Sequence, residues 1–141
     1  MKAVFDTNVL ISALITTGKP KELFHKAIEG QIQLVLSKSI LEEFTKVCND
    51  LRIRKYADQE DIIAFLRIID TAAEITKVKS RFKAVTEDPD DDIILRTAFD
   101  GKADCIVSGD KHLLSIVTFR GIKTLTVKEM LELLKKEKAQ K

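Results

Sequence analysis

Short apolar runs alternate along the chain with longer segments in which apolar residues recur every three or four positions. The short runs predict buried strands, and the longer segments predict amphipathic helices. The predicted strands are residues 2–5, 32–37, 73–75, 104–108 and 122–126. The predicted helices are residues 7–15, 21–29, 39–51, 59–70, 90–100, 110–115 and 127–138. Because strands that alternate with helices indicate a parallel sheet covered on both faces, we predict an α/β fold with about five parallel strands sandwiched between helices in three layers.

The length and charge of the chain set loose limits on its organisation. With 141 residues, the chain is predicted to form one domain over residues 1–141, because a chain of this size can bury a core without disulfides or metals. Its Lys-rich end, residues 136–141, is expected to fray. The 24 Lys and Arg residues nearly balance the 22 Asp and Glu residues, which gives a formal net charge of +2. This balance by itself indicates no class of partner.

Neither the cysteines nor the apolar runs indicate export. Cys48 and Cys105 are far apart in the chain, which suits a reduced setting, so we expect a cytoplasmic location. The apolar start of the chain is interrupted by Asp6 and Asn8, unlike a signal peptide. No apolar run approaches the roughly 18 residues of a membrane span, so we predict no membrane association.

Acidic residues follow two of the predicted strands and open one predicted helix. Asp6 ends the first strand, Asp110 follows the fourth strand after one glycine, and residues 87–92 bring five carboxylates to the start of a helix. Each position also suits a helix cap, most clearly Asp88 before Pro89, and capping is the better interpretation of any one of them alone. Because ligands of open parallel sheets bind beyond the carboxyl ends of the strands, the three together indicate a binding site.

Helical spacing distinguishes between neighbouring acids. Glu43 lies three and four positions from apolar residues of its helix, whereas Glu42 has polar neighbours at those positions. We therefore predict that Glu43 is directed towards the protein. Asp91 precedes apolar residues of its own helix by three, four and seven positions, so it is predicted to face inward. Asp92 is less clearly offset from that face and stays an alternative to Asp91.

The predicted site contains only carboxylates. If Asp6, Glu43, Asp91 and Asp110 meet, each pair of charges about 4 Å apart costs about 4 kcal/mol at an effective dielectric near 20. Such a cluster must either bind protons or hold a cation. Oxygen ligands favour Mg²⁺ or Mn²⁺ over Zn²⁺. Carboxylates that hold Mg²⁺ with open coordination positions commonly act on phosphate groups, where the metal activates water and offsets negative charge.

Four segments of the chain resemble known motifs in their known order. They are similar to the motifs of PIN-domain nucleases, and most of all to those of the toxin-type, VapC-like members of that family: VFDTNVLISAL, SKSILEEF, DPDDDIILRTA and IVSGDKHLL. One such motif alone is a weak signal, but four in order with fitting spacing are a strong one. The resemblance covers essentially the whole chain.

The resemblance implies a parallel sheet between helices and a Mg²⁺- or Mn²⁺-dependent ribonuclease activity. The family's acids fall on Asp6, Glu43, Asp91 and Asp110. It implies that Asp6 and Asp91 are the main metal ligands, and that Asp110 and Glu43 complete the site directly or through water. The family's polar residues fall on Asn8 and Ser108, which are predicted to orient ligands or water, although both also suit capping. Glu87 departs from the family pattern, in which an Arg is common at that position.

The resemblance also implies a biological role and partners. We expect an endoribonuclease that is the toxin of a toxin–antitoxin pair, is neutralised by a small antitoxin protein and forms a homodimer. The apolar positions of residues 59–70 suit either a dimer interface or the core, and the core is the default interpretation. A structure-specific or RNA-processing nuclease outside a toxin system is one alternative. A PIN-like module that binds RNA or protein without cutting is another, although such a module has no need of four acids.

Two basic segments are candidates for RNA contact. They are LRIRKY at residues 51–56 and KVKSRFK at residues 77–83, and a solvated face is the simpler interpretation of each. The chain has no Trp and one Tyr, so stacking platforms for bases are not evident. RNA binding is therefore expected to depend on phosphate contacts and to weaken steeply with salt.

Overall fold

The structure, a computed structural model, describes residues 1–83 and 89–139. The strands are β1 Lys2–Phe5, β2 Gln33–Ser37, β3 Ala73–Thr76, β4 Cys105–Val107, β5 Thr118–Phe119 and β6 Ile122–Leu125. The helices are α1 Thr7–Ile15, α2 Lys19–Ile28, α3 Lys38–Cys48, α4 Leu51–Arg54, α5 Gln59–Ala72, α6 Pro89–Asp100, α7 Lys111–Ile116 and α8 Val127–Ala139. The predicted α/β fold with a mostly parallel sheet flanked by helices is confirmed.

Within the described residues, the sheet has six strands in the order β3-β2-β1-β4-β6-β5, one more than the predicted count. The additional strand, β5, has two residues and pairs antiparallel with β6, whereas the other neighbours pair parallel. The chain fills one side of β1 with β2 and β3 and then crosses to the other side with β4 and β6. The strand order therefore reverses at β1 and β4, and in parallel sheets ligands bind beyond the carboxyl ends of the strands at such a point.

Strand β1 forms the centre of the core. Its residues Ala3, Val4 and Phe5 are all fully buried. Because successive side chains of a strand point to opposite faces of the sheet, complete burial of three in a row shows that helices cover both faces there. The rings of Phe24, Phe65 and Phe44 stack in sequence, with centroids 4.5 Å and 5.4 Å apart, and join α2, α5 and α3. These contacts fix the rotation of α3, which carries Glu43.

Several helix ends differ from the prediction, since α2 begins at Lys19 and α5 ends at Ala72. Helix α3 ends at Cys48, and the short helix α4 follows it, begun by the Asp50 side chain. Helix α8 continues to Ala139, and the last two residues lie outside the described part of the chain. Helix α5 faces the core with Ile62, Phe65 and Ile69. Among the helices that the structure describes, none is long and apolar enough to cross a membrane.

Candidate active site

Asp6 stands where β1 passes directly into α1. Its side chain caps α1, because its Oδ1 accepts a hydrogen bond of 2.9 Å from the backbone N–H of Val9. The backbone N–H of Asp6 donates to the carbonyl of Val107 at 3.1 Å, which ties the end of β1 to the end of β4. The side chain is 5% exposed. The fold therefore holds this carboxylate, nearly buried, at the point where the strand order reverses.

Ser108 joins two acids that are far apart in sequence. It is fully buried and follows β4 directly. Its hydroxyl donates to Oδ2 of Asp6 and accepts from the backbone N–H of Asp110 at 2.9 Å. Asp110 in turn caps α7, because its Oδ1 accepts from the backbone N–H of His112 at 2.8 Å. One hydroxyl thus fixes Asp6 and the backbone that carries Asp110 relative to each other.

Helix α3 contributes Glu43 to the same region. Glu43 is half-buried, and its Oε2 accepts a hydrogen bond of 3.3 Å from the hydroxyl of Thr7 in α1. Glu42 is exposed and lies 3.9 Å from the ammonium of Lys38. The structure thus places Glu43 inward and Glu42 in solvent. Sequence reasoning missed the role of Thr7, although the residue lies inside the DTN motif, because its contact depends on how α3 packs against α1.

The first turn of α6 carries three successive aspartates with different surroundings. Asp91 is 4% exposed and Asp92 is 7% exposed, whereas Asp90 is exposed. Asp90 and Asp91 line the same pocket as Asp6, but Asp92 does not belong to that lining. The position of Asp90 was not predicted, because helical spacing places it off the buried face. Glu87 and the predicted cap Asp88 lie outside the described residues.

One open pocket collects these side chains. It is lined by Asp6, Thr7, Asn8, Glu43, Asp90, Asp91, Ile94, Asp110 and Leu113. Asn8 is exposed at its rim, and Ser108 lies behind the pocket as a support for Asp6. The acids come from the ends of β1 and β4 and from α3 and α6, so only the folded chain brings them together.

The electrostatic state of Asp6 reflects this crowding. Burial raises its pKa above the ordinary value, and the negative charge of Asp110 raises it further. Hydrogen bonds from Ser108 and from the Val9 amide act in the opposite direction but do not cancel the effect of burial. A buried carboxylate next to other acids is destabilised unless a proton or a cation compensates its charge. The pocket is therefore suited to a positively charged ligand.

The donor atoms of the pocket suit the metal that the sequence implies. The polar lining offers carboxylate, amide and hydroxyl oxygens, which match Mg²⁺ and Mn²⁺ in chemical type. Within residues 1–83 and 89–139, however, no three Asp, Glu, His or Cys side chains are already positioned as a coordination shell. The lining fits such a cation in donor type and charge, and binding requires side-chain adjustment or ligation through water.

Comparisons with known proteins are consistent with this architecture. The sequence profile of the PIN domain matches residues 2–112. A protein of Methanocaldococcus jannaschii, described as the uncharacterized protein MJ1680, is 36% identical over 118 residues, which is 82% of this chain and 75% of the relative. The crystal structure of VapBC2 from Rickettsia felis, bound to a DNA fragment from their promoter, superposes with a TM-score of 0.62 at 14% identity. That match covers 89% of this chain and 98% of the other, and at this identity it shows a shared fold.

Proposed function

The chain belongs to the PIN-domain family, whose members are generally nucleases, and from this premise we propose that it is a divalent-metal-dependent endoribonuclease. One observation supports the proposal above the others. Asp6, Glu43, Asp91 and Asp110 come from four separate parts of the chain and line one pocket. A module that only binds RNA gains nothing from four acids that repel a polyanion. A site that holds a cation against a phosphate group requires them.

Each side chain of the pocket has a role in this proposal. Asp6, Asp91 and Asp110 would hold the cation, and Glu43 would complete the site directly or through water. A bound Mg²⁺ or Mn²⁺ supplies activation of water and compensation of charge on the phosphodiester. Thr7 keeps the Glu43 carboxylate in place through its 3.3 Å hydrogen bond. Asn8, exposed at the rim, would orient substrate or water.

Ser108 acts as a positioning residue. Its hydroxyl proton is held by Oδ2 of Asp6, and its oxygen accepts from the Asp110 amide. Oδ1 of Asp6 accepts from the Val9 amide in the first turn of α1. Hydrogen bonds therefore hold both oxygens, and the carboxylate cannot rotate freely. The carboxylate is thus pre-organised, and a fixed ligand loses less entropy when it binds a cation. Replacement of Ser108 by Ala is expected to reduce the free energy of metal binding by more than it reduces the free energy of unfolding.

We further propose the biological setting of a toxin. The VapC-like motifs and the fold shared with VapBC2 support a cytoplasmic toxin that pairs with a small antitoxin and forms a homodimer. The direct test is co-expression with the product of the neighbouring open reading frame. A stable complex that abolishes RNA cleavage supports the toxin role. If no such neighbour exists, the same activity indicates RNA processing instead.

The activity is tested by cleavage of a fluorescent single-stranded RNA in Mn²⁺, in Mg²⁺ and in EDTA. Asp91→Asn is the test variant, and Asp70→Asn, which removes an exposed charge from α5, is the matched control. We expect cleavage by the wild type and by the control in metal, and none by Asp91→Asn or in EDTA. Cleavage that persists in Asp91→Asn purified in the same way indicates a contaminating nuclease or a different site.

A further inference from the structure

Residues 77–83 present four cations on one side of an extended segment. Lys77, Lys79, Arg81 and Lys83, here called the basic stripe, are exposed, whereas Val78, Ser80 and Phe82 between them are partly buried. Strict alternation of exposure is the pattern of an extended chain, in which alternate side chains are about 6.6 Å apart. The segment follows β3 but is not itself a strand. Some other contact must therefore hold it against the protein.

Asp100, the last residue of α6, holds the first half of the segment. Its Oδ2 accepts from the backbone N–H of Lys79 at 2.8 Å and from that of Ser80 at 2.9 Å. Its Oδ1 accepts from the hydroxyl of Ser80. Three hydrogen bonds to one carboxylate fix the backbone while the ammonium of Lys79 stays exposed.

Phe82 holds the second half. Its ring packs against Phe99 and Phe119, with centroids 5.6 Å and 5.3 Å away, and the Arg120 guanidinium lies 4.6 Å from its centroid. Its carbonyl accepts from Nε of Arg96 at 2.7 Å. These contacts come from α6, from β5 and from the turn between β5 and β6, so they tie the segment to the body of the fold.

The turn that supplies Arg120 carries backbone strain. Arg120 has a φ of 48° and Gly121 has a φ of 83°, which is the pattern of a two-residue hairpin turn that normally prefers Asn-Gly. An Arg in the left-handed region is strained, because its Cβ crowds the following carbonyl oxygen. Its guanidinium contacts three Phe rings, those of residues 82, 99 and 119, within 5.2 Å. The three ring contacts place the β5–β6 turn directly against Phe82.

In the other basic segment, residues 51–56, the two arginines already pair with neighbouring side chains. Arg52 in α4 binds Asp50 through Nε at 3.1 Å and a terminal nitrogen at 2.9 Å. The side-chain hydrogen bonds from Arg52 lower the pKa of Asp50 to about 2. Arg54 donates to the side chain of Asn49 at 3.1 Å. In the part of the chain that the structure describes, no ion pair within 4.0 Å engages the basic stripe.

We propose that the basic stripe binds successive phosphates of single-stranded RNA and directs the strand to the acidic pocket, an inference that rests on the proposed function. The spacing of alternate residues in an extended chain is comparable to that of successive phosphates in an extended nucleic-acid strand. The carbonyl of Phe82 accepts a hydrogen bond from Arg96. Arg96 follows Asp91 by five residues, or about 7.5 Å along the helix axis. With residues 79 and 80 held by Asp100 and Phe82 held by Arg96, the stripe runs along α6 towards the end of the helix that carries Asp91. The four cations also supply the attraction that RNA binding needs, because the acids of the pocket alone repel RNA.

The stripe is tested by its effect on the salt dependence of RNA binding. The variant replaces its four cations by Gln, and the control replaces four exposed lysines of α8 by Gln, namely Lys128, Lys135, Lys136 and Lys138. Both variants change the formal net charge from +2 to −2. Binding of a labelled single-stranded RNA is measured in EDTA, where no cleavage is expected. If all four stripe cations contact phosphates, the wild type loses about 50-fold more affinity than the stripe variant between 50 and 200 mM salt.

Three outcomes would refute the proposal that the basic stripe binds RNA. They are a stripe variant with the wild-type salt slope, a control that loses as much slope as the stripe variant, and polyglutamate that competes as well as RNA of equal charge. The last outcome would indicate an acidic protein as the partner. The two proposals fail separately. A wild type that cleaves RNA while the stripe variant keeps its slope refutes only the stripe. Stripe-dependent binding without metal-dependent cleavage refutes the nuclease.

Discussion

The proposed metal site predicts that a divalent cation stabilises the folded protein, and Asp6→Asn tests that prediction. Asn at position 6 can still accept the 2.9 Å hydrogen bond from the Val9 amide, so the cap of α1 survives. It cannot contribute a charge to a cation, and its NH₂ group reverses the donor role of Ser108. We therefore expect a folded protein that no longer responds to Mn²⁺. Wild type and variant are compared in Mn²⁺ and in EDTA.

The expected shift follows from mass action. A ligand at 100 times its dissociation constant stabilises the folded state by about 2.7 kcal/mol. An unfolding entropy of about 2.1 cal/mol/K per residue gives about 0.3 kcal/mol/K for 141 residues. The wild-type Tm should therefore rise by about 9 °C at that metal concentration. Asp6→Asn should show a small fraction of this rise.

In EDTA, the stability of Asp6→Asn should depend on pH differently from the stability of the wild type. Because burial raises the pKa of Asp6, the folded state keeps a proton that the unfolded state has released. Stability therefore falls as pH rises from the ordinary Asp pKa, about 3.9, through the raised pKa of the folded state. Asp6→Asn should lack this part of the pH dependence. The pH range is scanned by thermal melts of both proteins.

The assay is differential scanning calorimetry, with Asp70→Asn as the control for the loss of one exposed charge from α5. The control should show the full Mn²⁺ shift. Two results would refute the reasoning about the pocket. One is a wild-type Tm that does not change at millimolar Mn²⁺, and the other is a shift of equal size in Asp6→Asn.

Other predictions concern the scaffold. Gly101→Ala should lower the free energy of unfolding in urea by about 1–3 kcal/mol, because a Cβ there would lie 2.6 Å from Cγ1 of Val35. An unchanged free energy of unfolding would show that α6 and β2 do not pack so closely. Val117→Gly should raise Tm, because Val117 is 65% exposed and has a φ of 64°, where a β-branched residue is strained; a lower Tm would contradict that strain. Cys48 and Cys105 should resist thiol reagents at pH 8 until the protein is unfolded, since burial raises both pKa values, that of Cys105 to about 12; rapid labelling of the native protein would argue against burial.

Much of the scaffold could be predicted because it depends on local patterns. The buried strands are short apolar runs, and the inward faces of α3 and α6 follow from helical spacing. The strand β5 has two residues, which is too short for any periodic signal. Its pairing depends on the turn at Arg120 and Gly121, where Arg takes a conformation that the sequence does not indicate.

The site was harder to predict where contacts join distant elements. The pairing of Thr7 with Glu43 depends on the packing of α3 against α1. Asp90 lines the pocket although it is exposed, because the pocket is open at that side. The two basic segments look equivalent in sequence. Only the structure distinguishes them, since Asp100 holds residues that precede it by about twenty positions.

The proposed activity depends on Asp6, Glu43, Asp91 and Asp110 holding one or more divalent cations in a single pocket. The most direct measurement is anomalous X-ray scattering from crystals soaked in Mn²⁺. We expect a manganese peak between the carboxylates of Asp6, Asp91 and Asp110, and the loss of that peak in crystals of Asp6→Asn. A fully soaked crystal with no peak in this pocket, or with manganese only at other surface acids, would contradict it.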